Sequence, residues 1–341
     1  MAVEKHVSRG FLKSRRSRIV LGFFVFIAVL AVVIPPAVVV TLRKKNSMGP
    51  KSSVLVPLYV YPAPGAWAPL EEVITAHPNI NFTVVINPSS GPGPGPLPDG
   101  NYTREIPKLA TRPNVRLLGY VAITYAKRNI SLVREDIQTY AAWPTRSGNP
   151  NIAVRGIFFD ETPQQYDTDA FAYLRDLTTF VKDNKGLGPD RFFSRECNAL
   201  CHLAWSLKSI AICCNDPLVS APNRCNMEAN IPAFQVVHNP GVVPDYRYLP
   251  TADSTIVFEG TYDTFQERHG AKLFESIGNS NRSQLCAVVH SVPDTVRGNH
   301  LRSLVKQLRQ VADEIFVTHL STNYYASFGD GWGEFVDLVA A

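Results

Sequence analysis

The 341-residue chain has no G-x-S-x-G, no H-E-x-x-H and no G-x-x-x-x-G-K-[ST], which removes the serine-elbow, zinc-peptidase and P-loop chemistries from consideration. It has little positive charge where a folded surface would use it. Of its 34 Lys and Arg, ten fall in residues 1–51 beside a single acid, Glu4, leaving 24 against 28 Asp and Glu in the remainder. No concentrated basic stripe survives outside that N-terminal segment, so no nucleic-acid partner is expected, and a neutral or cationic ligand fits better. Cysteine is equally uneven. Five of six lie between residues 192 and 233, at 197, 201, 213, 214 and 225, and the sixth is Cys286.

What is present first is a hydrophobic run. Residues 19–42, IVLGFFVFIAVLAVVIPPAVVVTL, carry no ionisable group and are long enough to cross about 30 Å of hydrocarbon, which predicts a transmembrane helix. Lys5, Arg9, Lys13, Arg15, Arg16 and Arg18 precede it, and Arg43, Lys44, Lys45 and Lys51 follow. That bias predicts a cytosolic N-terminus, hence a single-pass type II membrane protein with a luminal or extracellular catalytic domain. N-x-Ser/Thr acceptors at Asn81, Asn101, Asn129 and Asn281 agree with this placement. The expected organisation is a basic tail (1–18), an anchor (19–42), a stalk (43–52) and one domain (53–341).

Beyond the stalk, short apolar runs alternate with amphipathic stretches, the pattern of βα units in a parallel sheet. Eight strands are predicted: Val54–Tyr61, Phe82–Asn87, Arg116–Thr124, Gly156–Asp160, Gln235–Asn239, Thr255–Gly260, Leu285–His290 and Ile315–Leu320. Helical stripes are predicted over Asp169–Asn184 and Gly298–Ala312. The first strand ends YVYPAPGAW rather than in G-x-G-x-x-G, which counts against an open dinucleotide-binding sheet and for a closed (β/α)8 TIM barrel. PSSGPGPGPLPDG, residues 88–100, is too rich in Pro and Gly for regular structure and forms a loop after the second strand, where barrel clefts are walled.

Residues 192–233 break this rhythm. Disulfides among their cysteines have no readable connectivity, and Cys197, Cys201 and His202 lack a second metal half-site, so no metal is assigned. One reading of the segment is a translated intron. Its removal joins GLGPDR to FQVVHNPG in a connection of ordinary length.

Barrel active sites are built from strand C-termini. Those ends supply Tyr59 and Tyr61, Asn87, Tyr120 and Tyr125, Asp160 and Glu161, His238 and Asn239, Glu259, His290, and Asn323 and Tyr324, with Tyr262 just beyond the sixth strand. Glycosidic hydrolysis needs one carboxyl to protonate the leaving oxygen and a second to act as nucleophile or base. Asp160 or Glu161 on strand four and Glu259 on strand six meet that need. The aromatics offer flat surfaces for sugar rings, and the amides offer hydrogen bonds. No cofactor is required.

The series YVYP, NPSSGPG, GY, GIFFDE, VVHNPG and FEG, in order along the strands, resembles the spherulin-4-like proteins, which include glycoside hydrolase family 135. The resemblance covers about residues 53–328 apart from the cysteine-rich insert. It implies a (β/α)8 hydrolase cutting galactosaminogalactan within its α-1,4-linked N-acetylgalactosamine segments. It implies catalytic roles for Asp160, Glu161 and Glu259: Asp160 as nucleophile or electrostatic stabiliser, Glu259 as general acid/base, Glu161 as a substrate or support contact. Tyr59, Tyr61, Asn87, Tyr120, Tyr125, His238, Asn239, Tyr262, His290 and Tyr324 are the expected substrate-binding set. The insert lies just before strand five. A silent glycan-binding protein on the same scaffold is the alternative.

Overall fold

The computed structural model describes residues 48–188, 235–270, 272, 274–277 and 280–341. Eight parallel strands close into one barrel in sequence order: β1 (Ser53–Leu58), β2 (Phe82–Ile86), β3 (Val115–Ala122), β4 (Gly156–Asp160), β5 (Gln235–Asn239), β6 (Ser254–Thr261), β7 (Leu285–His290) and β8 (Glu314–Val317). Strands such as FTVVI and GIFFD are apolar at consecutive positions because helices cover one face and the barrel interior fills the other. Pairing of β8 with β1, Ser53 beside Glu314, completes the ring.

The outer layer is α1 (Ala68–Ala76), α2 (Gly100–Ala110), α3 (Ile130–Ser147), α4 (Thr168–Asp183), α5 (Tyr262–Gly270), α6 (Asn299–Val311) and α7 (Trp332–Ala340). Side chains start several of these helices: Asp99 accepts from the amides of Asn101 and Tyr102, Asn129 from Ser131, and Asp167 from Ala170. The stripe Leu301, Leu304, Val305 and Leu308 of α6 is fully buried, as its 3.6-residue spacing requires. Residues 88–100 form no strand, and helix α2 begins at Gly100.

Residues 189–234, which contain the cysteine-rich stretch, lie outside the described residues, as do residues 19–42. The single-pass membrane assignment is corrected: among the described residues no helix is long and apolar enough to cross a membrane. The outer helices bury one stripe and leave the other in water, so none has the all-round apolar surface a span requires.

Candidate active site

Register places the acids. Ala122 of β3 pairs with Asp160, and Asp160 pairs with Asn239 of β5, so these residues stand at one level of the C-terminal mouth. Strand alternation sends Asp160 and Asn239 to the inner face and their predecessors Phe159 and His238 to the outer one, where the two rings meet edge to face at 5.9 Å. Glu259 arrives on β6, its backbone amide donating to the Gly241 carbonyl at 2.8 Å.

The carboxylates are knit together. Asn239 Nδ2 donates to Asp160 Oδ1 at 2.8 Å and to Glu259 Oε2 at 2.7 Å, which holds those two oxygens no more than about 5.5 Å apart. Tyr120 donates its hydroxyl to Asp160 Oδ2 at 2.7 Å, and Tyr325 donates to Glu259 Oε1 at 2.6 Å. Burial raises the pKa of Glu259 above the ordinary carboxylate value. The Tyr325 and Asn239 hydrogen bonds partly oppose that, and the nearby charge of Asp160 adds to it. Burial and the neighbouring acids also keep the hydroxyls of Tyr59, Tyr120 and Tyr325 protonated far above neutrality.

One wall of the mouth is a relay of rings. Tyr120 meets Tyr59 edge to face at 5.6 Å, Tyr59 meets Tyr325 at 5.3 Å, Tyr325 meets Tyr324 at 4.5 Å, and Tyr324 stacks flat on His290 at 4.0 Å. The His290 imidazole is held below its usual pKa by burial. Left-handed backbone at non-glycine positions clusters along the rim, at Thr124, Tyr125, Ala126, Glu161, Ser291 and Asn323. Such conformations each cost of order 1 kcal/mol or more and gather at functional sites.

The predicted residues therefore separate. Asp160, Glu259, Tyr59, Tyr120, Asn239, His290 and Tyr324 converge around the mouth. Glu161 is exposed with its backbone turned at φ 56°; its amide donates to Asp160 Oδ1 at 2.9 Å and its carbonyl accepts the Tyr125 amide at 2.6 Å. The acid that Asp160 faces is Glu259. Tyr125 is half exposed on an adjoining groove of about 820 Å³ that Gln164, Gln165 and Tyr173 also line. Tyr61 bonds Asp99 and Asn101, and Asn87 Oδ1 accepts the Gly91 amide, so both brace the loop after β2. Tyr262 opens helix α5. His238 is not brought to the mouth: it is 2% exposed, and burial drives its pKa down to about 3, which keeps the ring neutral. Tyr325 is the participant that sequence reasoning missed. It lies beyond the end of β8, in a loop where period-two patterning gives no facing, and the only signal was the doubled tyrosine at 324 and 325.

A parallel eight-stranded barrel with two facing carboxyls and an aromatic wall at its C-terminal mouth defines a barrel of the glycoside-hydrolase type. The family model for Spherulation-specific family 4 matches residues 53–339, and the chain belongs to that spherulin-4-like family. It is similar to Spherulin-4 of Physarum polycephalum, 34% identical over 145 residues, an alignment covering 40% of this chain and 40% of that protein. Among solved structures it is similar to Aspergillus clavatus Sph3, determined in complex with GalNAc, with 63% identity and a TM-score of 0.73. That match covers 87% of this chain and 100% of Sph3.

Proposed function

We propose that the chain is an endo-acting glycoside hydrolase that cleaves α-1,4-linked N-acetylgalactosamine segments of galactosaminogalactan. The observation that carries this is the pair Asp160 and Glu259, bridged by one amide nitrogen, with the bonded oxygens no more than about 5.5 Å apart. Retaining glycosidases separate their carboxyls by about 5–5.5 Å, whereas inverting ones need about 6.5–9.5 Å to admit a water. The pair thus supports a double displacement. GalNAc in the Sph3 complex supports an amino sugar as the ligand class.

In this reading Glu259 enters protonated, as its raised pKa favours, and gives its proton to the glycosidic oxygen while Asp160 attacks the anomeric carbon. The carbon–oxygen bond breaks as the Asp160 ester forms. Glu259, now a carboxylate, takes a proton from water, whose oxygen displaces Asp160. Attack by the sugar's own acetamido group is disfavoured because that group and an α leaving group are cis. Glu161, exposed at the rim, serves as a substrate or support contact, and the ring wall from Tyr120 to His290 supplies stacking surface.

The test is reducing-end release from galactosaminogalactan by the wild-type chain beside Asp160→Asn and Glu259→Gln. Release that both substitutions abolish is the expected result. Binding to the polymer without release by the folded wild type would overturn it in favour of a silent glycan-binding protein.

A further inference from the structure

Granting the hydrolase reading, we propose that Asn239 is the positioning residue of the carboxylate pair, a doubly donating amide that fixes the separation of Asp160 and Glu259 rather than a contact to the sugar. The residue is 8% exposed, and its side-chain nitrogen and oxygen are already bonded. An amide has two N–H donors on one nitrogen, and here one carboxylate lies within bonding distance of each.

Its orientation is not free to reverse. Asn239 Oδ1 accepts the Gly241 amide at 3.0 Å, so a flip would turn the carbonyl oxygen onto two carboxylates and leave that amide facing an NH₂. The turn Asn239-Pro240-Gly241 makes this bond, with Gly241 at φ 71°, a conformation glycine adopts without the Cβ penalty. The same turn carries the second acid, since the Gly241 carbonyl accepts the Glu259 amide at 2.8 Å. The backbone of Asn239 is tied to the first acid's loop as well, its carbonyl accepting the Thr162 amide at 3.0 Å, two residues past Asp160. One residue thereby locates both acids through side chain and backbone together.

This arrangement has a consequence for double displacement. Negative charge rests on Asp160 before attack and on Glu259 once the ester has formed. Hydrogen bonds to charged acceptors are roughly twice as strong as neutral ones. A donor touching both acids follows the charge from one to the other without moving, so each half-reaction finds the carboxylate it needs already solvated.

The experiment uses the full chain with Asn239→Leu, which removes the donor while keeping a branched side chain, and Asn239→Asp, which keeps the Gly241 bond but replaces the donor by an acceptor. Steady-state kinetics on galactosaminogalactan are read with ¹³C-carboxyl NMR titration of Glu259. For Asn239→Leu the expectation is a 10- to 100-fold fall in kcat, KM within about threefold of wild type, and an upward shift of the Glu259 midpoint, as the loss of one or two charge-assisted bonds implies. Asn239→Asp falls further in kcat and takes up an additional proton near neutrality, because three carboxyls then share the mouth. A rise in KM with kcat and the Glu259 midpoint unchanged would make Asn239 a sugar contact and overturn the proposal. If the wild type releases no reducing ends, the hydrolase reading fails on its own, and an unmoved Glu259 midpoint in both variants still overturns the positioning role.

Discussion

Both ends of the barrel bury a carboxylate, and the difference between them shows what a buried acid needs before it can do chemistry. At the N-terminal face Glu314 is 8% exposed. Its Oε1 accepts from Thr83 at 3.0 Å and Gln235 at 3.4 Å, its Oε2 accepts from the Cys286 thiol at 3.6 Å, and the nearby Arg116 charge favours its ionised form. At the C-terminal mouth Glu259 shares Asn239 with a second carboxylate and sits under a wall of rings. Burial raises both pKa values. What separates them is company: the charge that acts most on Glu314 is the Arg116 cation, whereas Glu259 is bridged by one amide to a partner acid within about 5.5 Å.

Substituting the two acids in parallel sharpens this most. Glu259→Gln removes the group proposed to move the proton and is expected to lower kcat by 10²- to 10⁴-fold with the fold retained. Glu314→Gln keeps the doubly accepting oxygen and turns the new NH₂ toward Cys286, so activity should stay within about twofold. A comparable loss in both variants would erase the distinction between the faces.

Tyr325→Phe is the next largest effect. It deletes the donor on Glu259 Oε1, a bond to a charged group worth about 1.5–3 kcal/mol, so a roughly 10- to 100-fold fall in kcat is expected. Because that bond lowers the Glu259 pKa, the descending limb of the pH–rate profile, where the acid loses its proton, should move to higher pH. An unmoved limb would detach Tyr325 from Glu259.

A smaller effect concerns stability. Glu314 has a folded-state pKa raised above its unfolded value of about 4.5, so its contribution is fully present below that pH and is lost as pH rises through the folded value. Glu314→Gln cannot lose a proton. Its Tm relative to wild type should therefore climb between pH 4 and pH 7, and a pH-independent difference would contradict the raised pKa.

The smallest effect expected is that of deleting residues 189–234. Gly188 sits against Ala153 and Arg155, and Gln235 pairs with Gly156, so the chain leaves and returns beside one short stretch. A direct join should preserve the circular-dichroism spectrum and cooperative melting, and loss of the folded barrel would show the segment to be needed.

Much of this was legible in the sequence. Parallel strands buried on both faces write themselves as runs such as VLVPL and LCAVVH, so all eight strands fall where expected, with ends shifted by a few residues. Asp160, Asn239 and Glu259 were legible because they end those runs. What was not legible is orientation beyond the last paired residue. Glu161 follows Asp160 directly yet takes a left-handed backbone at an exposed rim position, a choice made by the loop rather than by strand periodicity. His238 is adjacent to Asn239 and lands on the opposite face, which strict alternation foretold but a list of polar strand ends did not. Tyr325, one position past the expected Tyr324, is placed by loop geometry alone.

In the proposed reaction Asp160 and Glu259 act as a closely spaced pair. This is tested most directly by ¹H NMR of the sugar anomer released in the first turnovers, before mutarotation. The α-anomer is expected, retained through an Asp160 ester. Initial release of the β-anomer would contradict it, because a single inverting displacement requires room for a water that the Asn239 bridge does not leave.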